Sequence, residues 1–212
     1  MLLTKGWDSL MNTLTYEYGE NLYINVTNEC PNHCDFCLRN HSKGSIYADN
    51  LWYEGQEPSK EELWEDIAKR DLDQYTSVVF CGYGEPTCRL DDVLWLAKKI
   101  KEQGDYITRM NTNGLSDLIN GRDTANEMAG LIDMISVSLN ASTPEEYEHM
   151  CKSDFGACAY DSMIHFTKAA VSSGIRTYMT VISTMPDDEI ENCRIICESI
   201  GAIFRIRQYI DK

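Results

Sequence analysis

Six short apolar-rich runs stand out along the chain, and in four of them apolar and polar positions alternate with a two-residue period. The six are 22–28 (LYINVTN), 77–83 (SVVFCGY), 108–114 (TRMNTNG), 134–140 (MISVSLN), 176–183 (RTYMTVIS) and 203–210 (IFRIRQYI). β-Branched and aromatic residues are concentrated in them, which predicts strands. Between the runs the apolar period lengthens to that of a helix. Ser59-Lys-Glu-Glu62 reads as a capping box opening a helix to about Leu72. A second helix is expected over 91–103, with Gly104 as its stop, and a shorter one over 124–132. Thr143-Pro144-Glu-Glu146 supplies an N-cap, a proline at the first helical position and a carboxylate three residues on. The last two helices, 161–173 and 186–200, end at Gly174 and Gly201.

Strands alternating with helices imply parallel strands joined by right-handed crossovers. Six such units fit either an open (β/α)6 barrel or a short doubly wound sheet, and spacing alone does not choose. With no internal repeat, low-complexity tract or Pro/Ser-rich linker, residues 1–212 read as one domain with an N-terminal extension over 1–21. The exception to the regular pattern is a loop of about twenty residues, 38–58, with no clear periodicity. Loops that long inside compact domains usually serve function. With Tyr47, Trp52 and Tyr53 it is a candidate lid or substrate-contact segment, or a surface loop with its aromatics tucked onto the rim.

The alternation also sorts side chains onto faces. Tyr23, Asn25 and Thr27 share one; so do Arg109, Asn111 and Asn113, then Ser136, Ser138 and Asn140, then Arg205, Arg207 and Tyr209. A parallel strand covered on both sides is normally almost wholly apolar. A polar face on four strands therefore predicts a polar lumen that binds something. Charge sharpens this reading: 19 Lys and Arg stand against 34 Asp and Glu, a net −15. So acidic a surface disfavours nucleic acid and anionic membrane as partners. Arginine gathered in the lumen of such a protein points to a small anionic ligand, or to salt bridges at the sheet's open edge. No export signal or membrane-length apolar run is visible, so a cytoplasmic location is expected.

Nine cysteines in such a chain read as reduced thiols, some of them metal ligands. Cys30, Cys34 and Cys37 form CxxxCxxC directly after the first strand. A zinc site normally takes four ligands, and His33 or His41 could complete one. An Fe4S4 cube held by three cysteines keeps one iron free of protein. The other six cysteines default to small buried hydrophobes.

The CxxxCxxC spacing, with aromatic Phe36 before the last cysteine, resembles the radical S-adenosylmethionine (SAM) superfamily. CGYGEP at 81–86, ending the second strand, resembles that family's GGEP-type motif, with Tyr83 in place of the first glycine. Asn111-Thr-Asn-Gly114 resembles its TNG strand ending. The stretches TYEYGENLYINVTNECPNHCDFCLRN, NLWYEGQEPSKEEL and VVFCGYGEPT look most like the TatD-associated radical SAM proteins, encoded beside or fused to TatD-type hydrolases.

The resemblance implies a partial (β/α)6 TIM-like barrel, an α/β fold of parallel strands. It implies a [4Fe-4S] cluster on Cys30, Cys34 and Cys37, with SAM chelating the open iron. Phe36, Tyr83, Gly84, Glu85, Asn113, Ser136, Ser138, Asn140 and Arg207 are then the expected SAM-site residues. The implied chemistry is reductive SAM cleavage to a 5′-deoxyadenosyl radical that abstracts hydrogen from a small polar or anionic substrate. An external flavodoxin- or ferredoxin-like electron donor is implied, and a functional link to a TatD-type hydrolase. Two other readings remain: an activating enzyme that installs a glycyl radical on a partner protein, and a non-catalytic cysteine-ligated metal module.

Overall fold

The computed structural model describes residues 12–41, 45–46 and 49–209. In chain order the elements are β1 (Thr15–Tyr18), β2 (Asn21–Ile24), α1 (Leu38–His41), the two-residue strands β3 (Ser45–Ile46) and β4 (Asp49–Asn50), α2 (Lys60–Ile67), β5 (Ser77–Phe80) and α3 (Leu90–Gln103). There follow β6 (Thr108–Thr112), α4 (Ser116–Asn120), α5 (Ala125–Met128), β7 (Met134–Ser138), α6 (Pro144–Cys151), α7 (Cys158–Ser172), β8 (Arg176–Ile182), α8 (Asp187–Ile200) and β9 (Ile203–Arg207). One sheet runs β1-β2-β5-β6-β7-β8-β9, and every neighbour from β2 to β9 is parallel. Helices cross between successive parallel strands, giving the open, partial TIM-like barrel.

The outer face of the sheet carries the core. Leu22, Ile24, Phe80, Met110, Ile135, Val137 and Met179 are fully buried against Leu63, Ile67, Leu96, Met128, Phe166, Cys193 and Cys197 from the helices. Each large apolar side chain so buried stabilises the fold by about 1.5–3 kcal/mol. The capping box at Ser59 and Glu62 forms as the sequence predicts, and Thr143 caps α6.

The sequence reading changes in several places: the helix expected to Leu72 ends at Ile67, α4 forms where no element was expected, and the long loop contains α1 and the β3–β4 pair. Residues 15–18, read as extension, form the antiparallel edge strand β1, turning into β2 at Gly19 with φ of 57°. Its four residues are too few to display a period. The first parallel strand ends at Ile24 rather than Asn28, because the backbone from Asn25 onward turns to other partners. Finally, the second half of the long loop is docked. Tyr53 is buried, donates its hydroxyl to the Asn25 carbonyl and exchanges two hydrogen bonds with Asn28. Glu57 accepts from Thr27 Oγ1 and Asn28 N–H, and Arg89 donates to the Val26 and Pro58 carbonyls. Trp52 stays half exposed on the rim beside Tyr83; Tyr47 lies outside the described residues. These bonds tie residues 53–58 to the segment that leads into the cysteine loop.

Candidate active site

The loops after β2, β5, β6 and β7 meet at the C-terminal ends of the strands, where parallel α/β folds place their sites. The cysteine loop, 30–37, is seated on the end of α6. His33 N–H donates to the Cys151 carbonyl (2.8 Å), Asp35 N–H to that of Met150 (3.3 Å) and Asp154 N–H to that of Pro31 (2.8 Å). Ion pairs Lys152–Asp35 and His33–Asp154 flank this seam. Both are exposed and worth little; the backbone bonds define the seat. Arg39 ties the loop from the other side. Its guanidinium donates to the carbonyls of Asn28 (3.2 Å) and Asn32 (3.0 Å) and to Cys37 Sγ (3.4 Å).

The CGYGEP turn lies against the residues leading into the cysteine loop. Gly84 N–H donates to the Thr27 carbonyl (2.9 Å) and Glu85 N–H to that of Glu29 (2.7 Å). A Cβ on Gly84 would stand 2.6 Å from the Glu29 carbonyl oxygen and 2.8 Å from the Asn28 carbonyl carbon. Both are main-chain atoms that cannot step aside. Gly84→Ala is therefore expected to cost about 2 kcal/mol through overpacking, roughly 4–8 °C in Tm. Thermal unfolding of the cluster-free protein measures it; an unchanged Tm would mean the two loops are not in contact.

Glu85 is the hub of the site. It is 3% exposed. Its Oε1 accepts from Thr87 N–H (3.1 Å), Thr87 Oγ1 (2.8 Å) and Thr112 Oγ1 (2.7 Å), and its Oε2 accepts from Asn113 N–H (2.6 Å). Burial holds its pKa above the usual carboxylate range, against the pull of these donors. Oε2 takes this one bond, leaving acceptor capacity beside the cavity. Thr112 and Asn113 come from the TNG ending, so the motifs after β5 and β6 are bonded to each other. Asn113 also reaches the cysteine loop, its Nδ2 standing 3.9 Å from Cys30 Sγ. Gly114, at φ of 78°, closes the turn where a Cβ would strike Met163.

A cavity of about 310 Å³ opens between these loops and the strand ends, within the ~300–1,000 Å³ range of small-molecule sites. Of the residues expected from the sequence, Phe36, Tyr83, Gly84, Glu85, Asn113, Ser138, Asn140 and Arg207 line it, with Cys30 and Cys37. Ser136 is outside the lining, and so is Cys34, which points toward α6. Arg205 packs over the Tyr178 ring instead. The lumen also gains residues the sequence did not single out. Tyr16 and Tyr18 from β1 join Tyr23 at one wall, the Tyr16 and Tyr23 rings stacked at 5.1 Å. Cys81 lies between them and Arg207; burial raises its pKa and the Arg207 charge pulls it back. Arg207 enters no ion pair among the described residues.

The thiols suit a cluster better than a single ion. Among the described residues, the trio of ligand atoms lying within 4.8 Å of one another is Asp117, Asp123 and His165, on the outer surface. The three loop sulfurs are spread wider than this, whereas four sulfurs around one zinc stand about 3.8 Å apart. Burial, with the Glu85 carboxylate second, pushes the Cys30 thiol up to about 12. Cys34 is also raised, first by its hydrogen bond with Cys151 and then by burial. Iron must therefore displace protons as it binds. Of the other cysteines, Cys151, Cys193 and Cys197 are buried as expected, whereas Cys81 and Cys88 are only partly so and Cys158 is exposed. No helix among the described residues is long and apolar enough to cross a membrane.

A family model described as the radical SAM superfamily matches residues 24–194. Among curated proteins the chain is similar to "Probable GTP 3',8-cyclase" of Thermococcus kodakarensis, with 28% identity over 189 residues, 88% of this chain and 55% of that one. The chain thus spans about half the length of this relative. Among solved structures, Streptococcus suis SuiB bound to S-adenosylmethionine superimposes with a TM-score of 0.68 at 20% identity, over 92% of this chain and 42% of that one. A radical SAM methyltransferase from Sphaerobacter thermophilus gives 0.63 at 15% identity, over 92% and 57%. At such identities these structures speak for the fold. The family match covers most of the chain and includes the cysteine loop, so the chain belongs to the radical SAM superfamily, whose members use a [4Fe-4S] cluster and SAM.

Proposed function

We propose that the protein is a radical SAM enzyme of the TatD-associated subgroup, acting on a small polar or anionic substrate held in the barrel lumen. The observation that carries this reading is the convergence of four strand-end motifs on one cavity, with Cys30 and Cys37 in its wall. When bound, the reduced cluster and SAM together supply one-electron cleavage of a carbon–sulfur bond, giving methionine and a 5′-deoxyadenosyl radical. Cys30, Cys34 and Cys37 would hold the cluster, and the chain's remaining task is to position the cofactors and exclude water.

The free acceptor capacity of Glu85 Oε2 suits the SAM ammonium, and a cation there would favour the ionised carboxylate. Ser138 and Asn140, at the end of β7, offer polar groups for the ribose or carboxylate. Phe36 supplies an apolar face. Arg207 is the lumen's cation, and Tyr18 and Tyr23 beside it offer flat surfaces. Together they suit a substrate with a planar part and a negative charge.

The test is anaerobic reconstitution with iron and sulfide, then SAM and a strong reductant. About four irons per chain, with formation of methionine and 5′-deoxyadenosine, support the reading. Stoichiometric zinc without iron would overturn it. Arg207→Ala is expected to lower SAM affinity or substrate turnover about tenfold or more, the scale of a lost charge-assisted bond, with iron content unchanged. Equal values for both would place Arg207 in the scaffold.

A further inference from the structure

Cys151 is the one thiol from outside the motif that is hydrogen-bonded to the cysteine loop's own sulfurs among the described residues. It ends α6, is fully buried, and its Sγ meets Cys34 Sγ. Its other polar neighbours are donors. Asn140 Nδ2 approaches Cys151 Sγ at 3.5 Å. Asn140 does so from a left-handed backbone, φ 62°, a conformation asparagine tolerates better than most residues. The Tyr147 hydroxyl bonds Cys151 as well. That hydroxyl accepts from Asn32 Nδ2 at 3.3 Å, which leaves its own proton for the sulfur. Asn32 Oδ1 is buried and finds no partner, so the bond to Tyr147 is the one its side chain makes.

The direction of this chain follows from counting protons. In the metal-free protein the Cys151 sulfur accepts from Asn140, Tyr147 and the Cys34 thiol; once Cys34 is on iron, the proton between the two sulfurs is Cys151's to give. A cysteine that ligates iron has no proton to give. Every polar hydrogen in the network then points toward the Cys34 sulfur.

We propose that Cys151 is a positioning residue for the cluster, donating an S–H···S hydrogen bond to the Cys34 thiolate and raising the potential at which the cluster accepts its electron. The proposal rests on the reading of Cys34 as a cluster ligand. Hydrogen bonds to a cluster's sulfurs withdraw charge from it and favour its reduced form, and such outer partners tune a metal centre strongly. The same residue fixes where the sulfur sits, since its carbonyl holds the His33 N–H.

The experiment is an anaerobic redox titration of the reconstituted protein followed by electron paramagnetic resonance. Wild type, Cys151→Ala, Cys151→Ser and Tyr147→Phe are compared. In Cys151→Ala the ratio of reduced to oxidised cluster at the wild-type midpoint should fall about three- to tenfold; tenfold is 59 mV for a one-electron couple. Cys151→Ser restores a donor and should recover most of the shift. Tyr147→Phe keeps the ring and should move the midpoint the same way by less. A midpoint unmoved in Cys151→Ala, or equal in the Ala and Ser variants, overturns the proposal, since a packing role would change Tm and leave the potential alone. Should Cys151→Ala hold no iron, Tyr147→Phe decides: a negative shift supports the proposal and no shift refutes it. A wild-type protein that takes up no cluster would instead sink the reading of the site.

Discussion

Alanine at any one of Cys30, Cys34 or Cys37 should leave the reconstituted protein with less than about one iron per chain and SAM cleavage at background. Two remaining thiolates cannot close a cubane against exchange with solvent iron and chelators. Cys34 is the informative member, because a second thiol stands beside it. Cys151 is nevertheless a poor replacement: it is carried by α6, its sulfur is held by Asn140 and Tyr147, and its carbonyl is committed to the loop. All three variants should keep the fold, since the loop's backbone seat on α6 does not pass through the cysteine side chains. Iron analysis, visible absorbance and product assay on anaerobic protein, with Tm of the cluster-free forms, check this. Full iron content in all three variants would remove the ligand assignment.

Glu85→Ala is expected to have the second largest effect, separable from the first. The substitution orphans two backbone N–H groups and two hydroxyls that now converge on the carboxylate. Each unsatisfied buried donor costs about 1–3 kcal/mol. The hydroxyls can turn elsewhere, and removing a buried carboxylate returns its desolvation cost, so the net loss is about 3 kcal/mol, or roughly 6–12 °C in Tm. The amides of Thr87 and Asn113 have no such freedom, so the turn after β5 and the end of β6 separate. SAM affinity should then fall by about a hundredfold or more, about 2.7 kcal/mol, while iron content stays near wild type. Glu85→Gln keeps the shape and should lie between the two, because its amide N–H must face one of the donors. Loss of iron together with SAM would mean that Glu85 supports the cysteine loop rather than the nucleotide.

The sequence carries the architecture well because the signals are local. The strand cores of β5, β6, β7 and β8 sit within the runs the sequence singles out, and the caps at Ser59 and Thr143 are where their motifs fall. The chemistry of the cysteine loop is also local, three thiols in eight residues. What the chain does not display is partnership across distance. Cys34 and Cys151 are more than a hundred positions apart, and no spacing rule joins them. Asn140 reads as a lumen residue by alternation; its left-handed backbone turns the amide to Cys151 while the residue still borders the cavity. Ser136 shares the face of Ser138, one turn of the pleat earlier, and is not among the residues that line the cavity. Tyr16 and Tyr18 are hidden by the shortness of β1. Arg39 was within reach of inspection, as a cation two residues beyond Cys37, but its three acceptors become visible only once the loop is folded.

The glycine turn is bonded to the approach to the cysteines through main chain, Gly84 to Thr27 and Glu85 to Glu29. Side chains add to it from both flanks, Arg89 to the Val26 carbonyl and Asn113 toward Cys30 Sγ. A substitution at Tyr83, whose ring borders the chamber, would thus change which guests are admitted while these main-chain bonds keep the two loops in register.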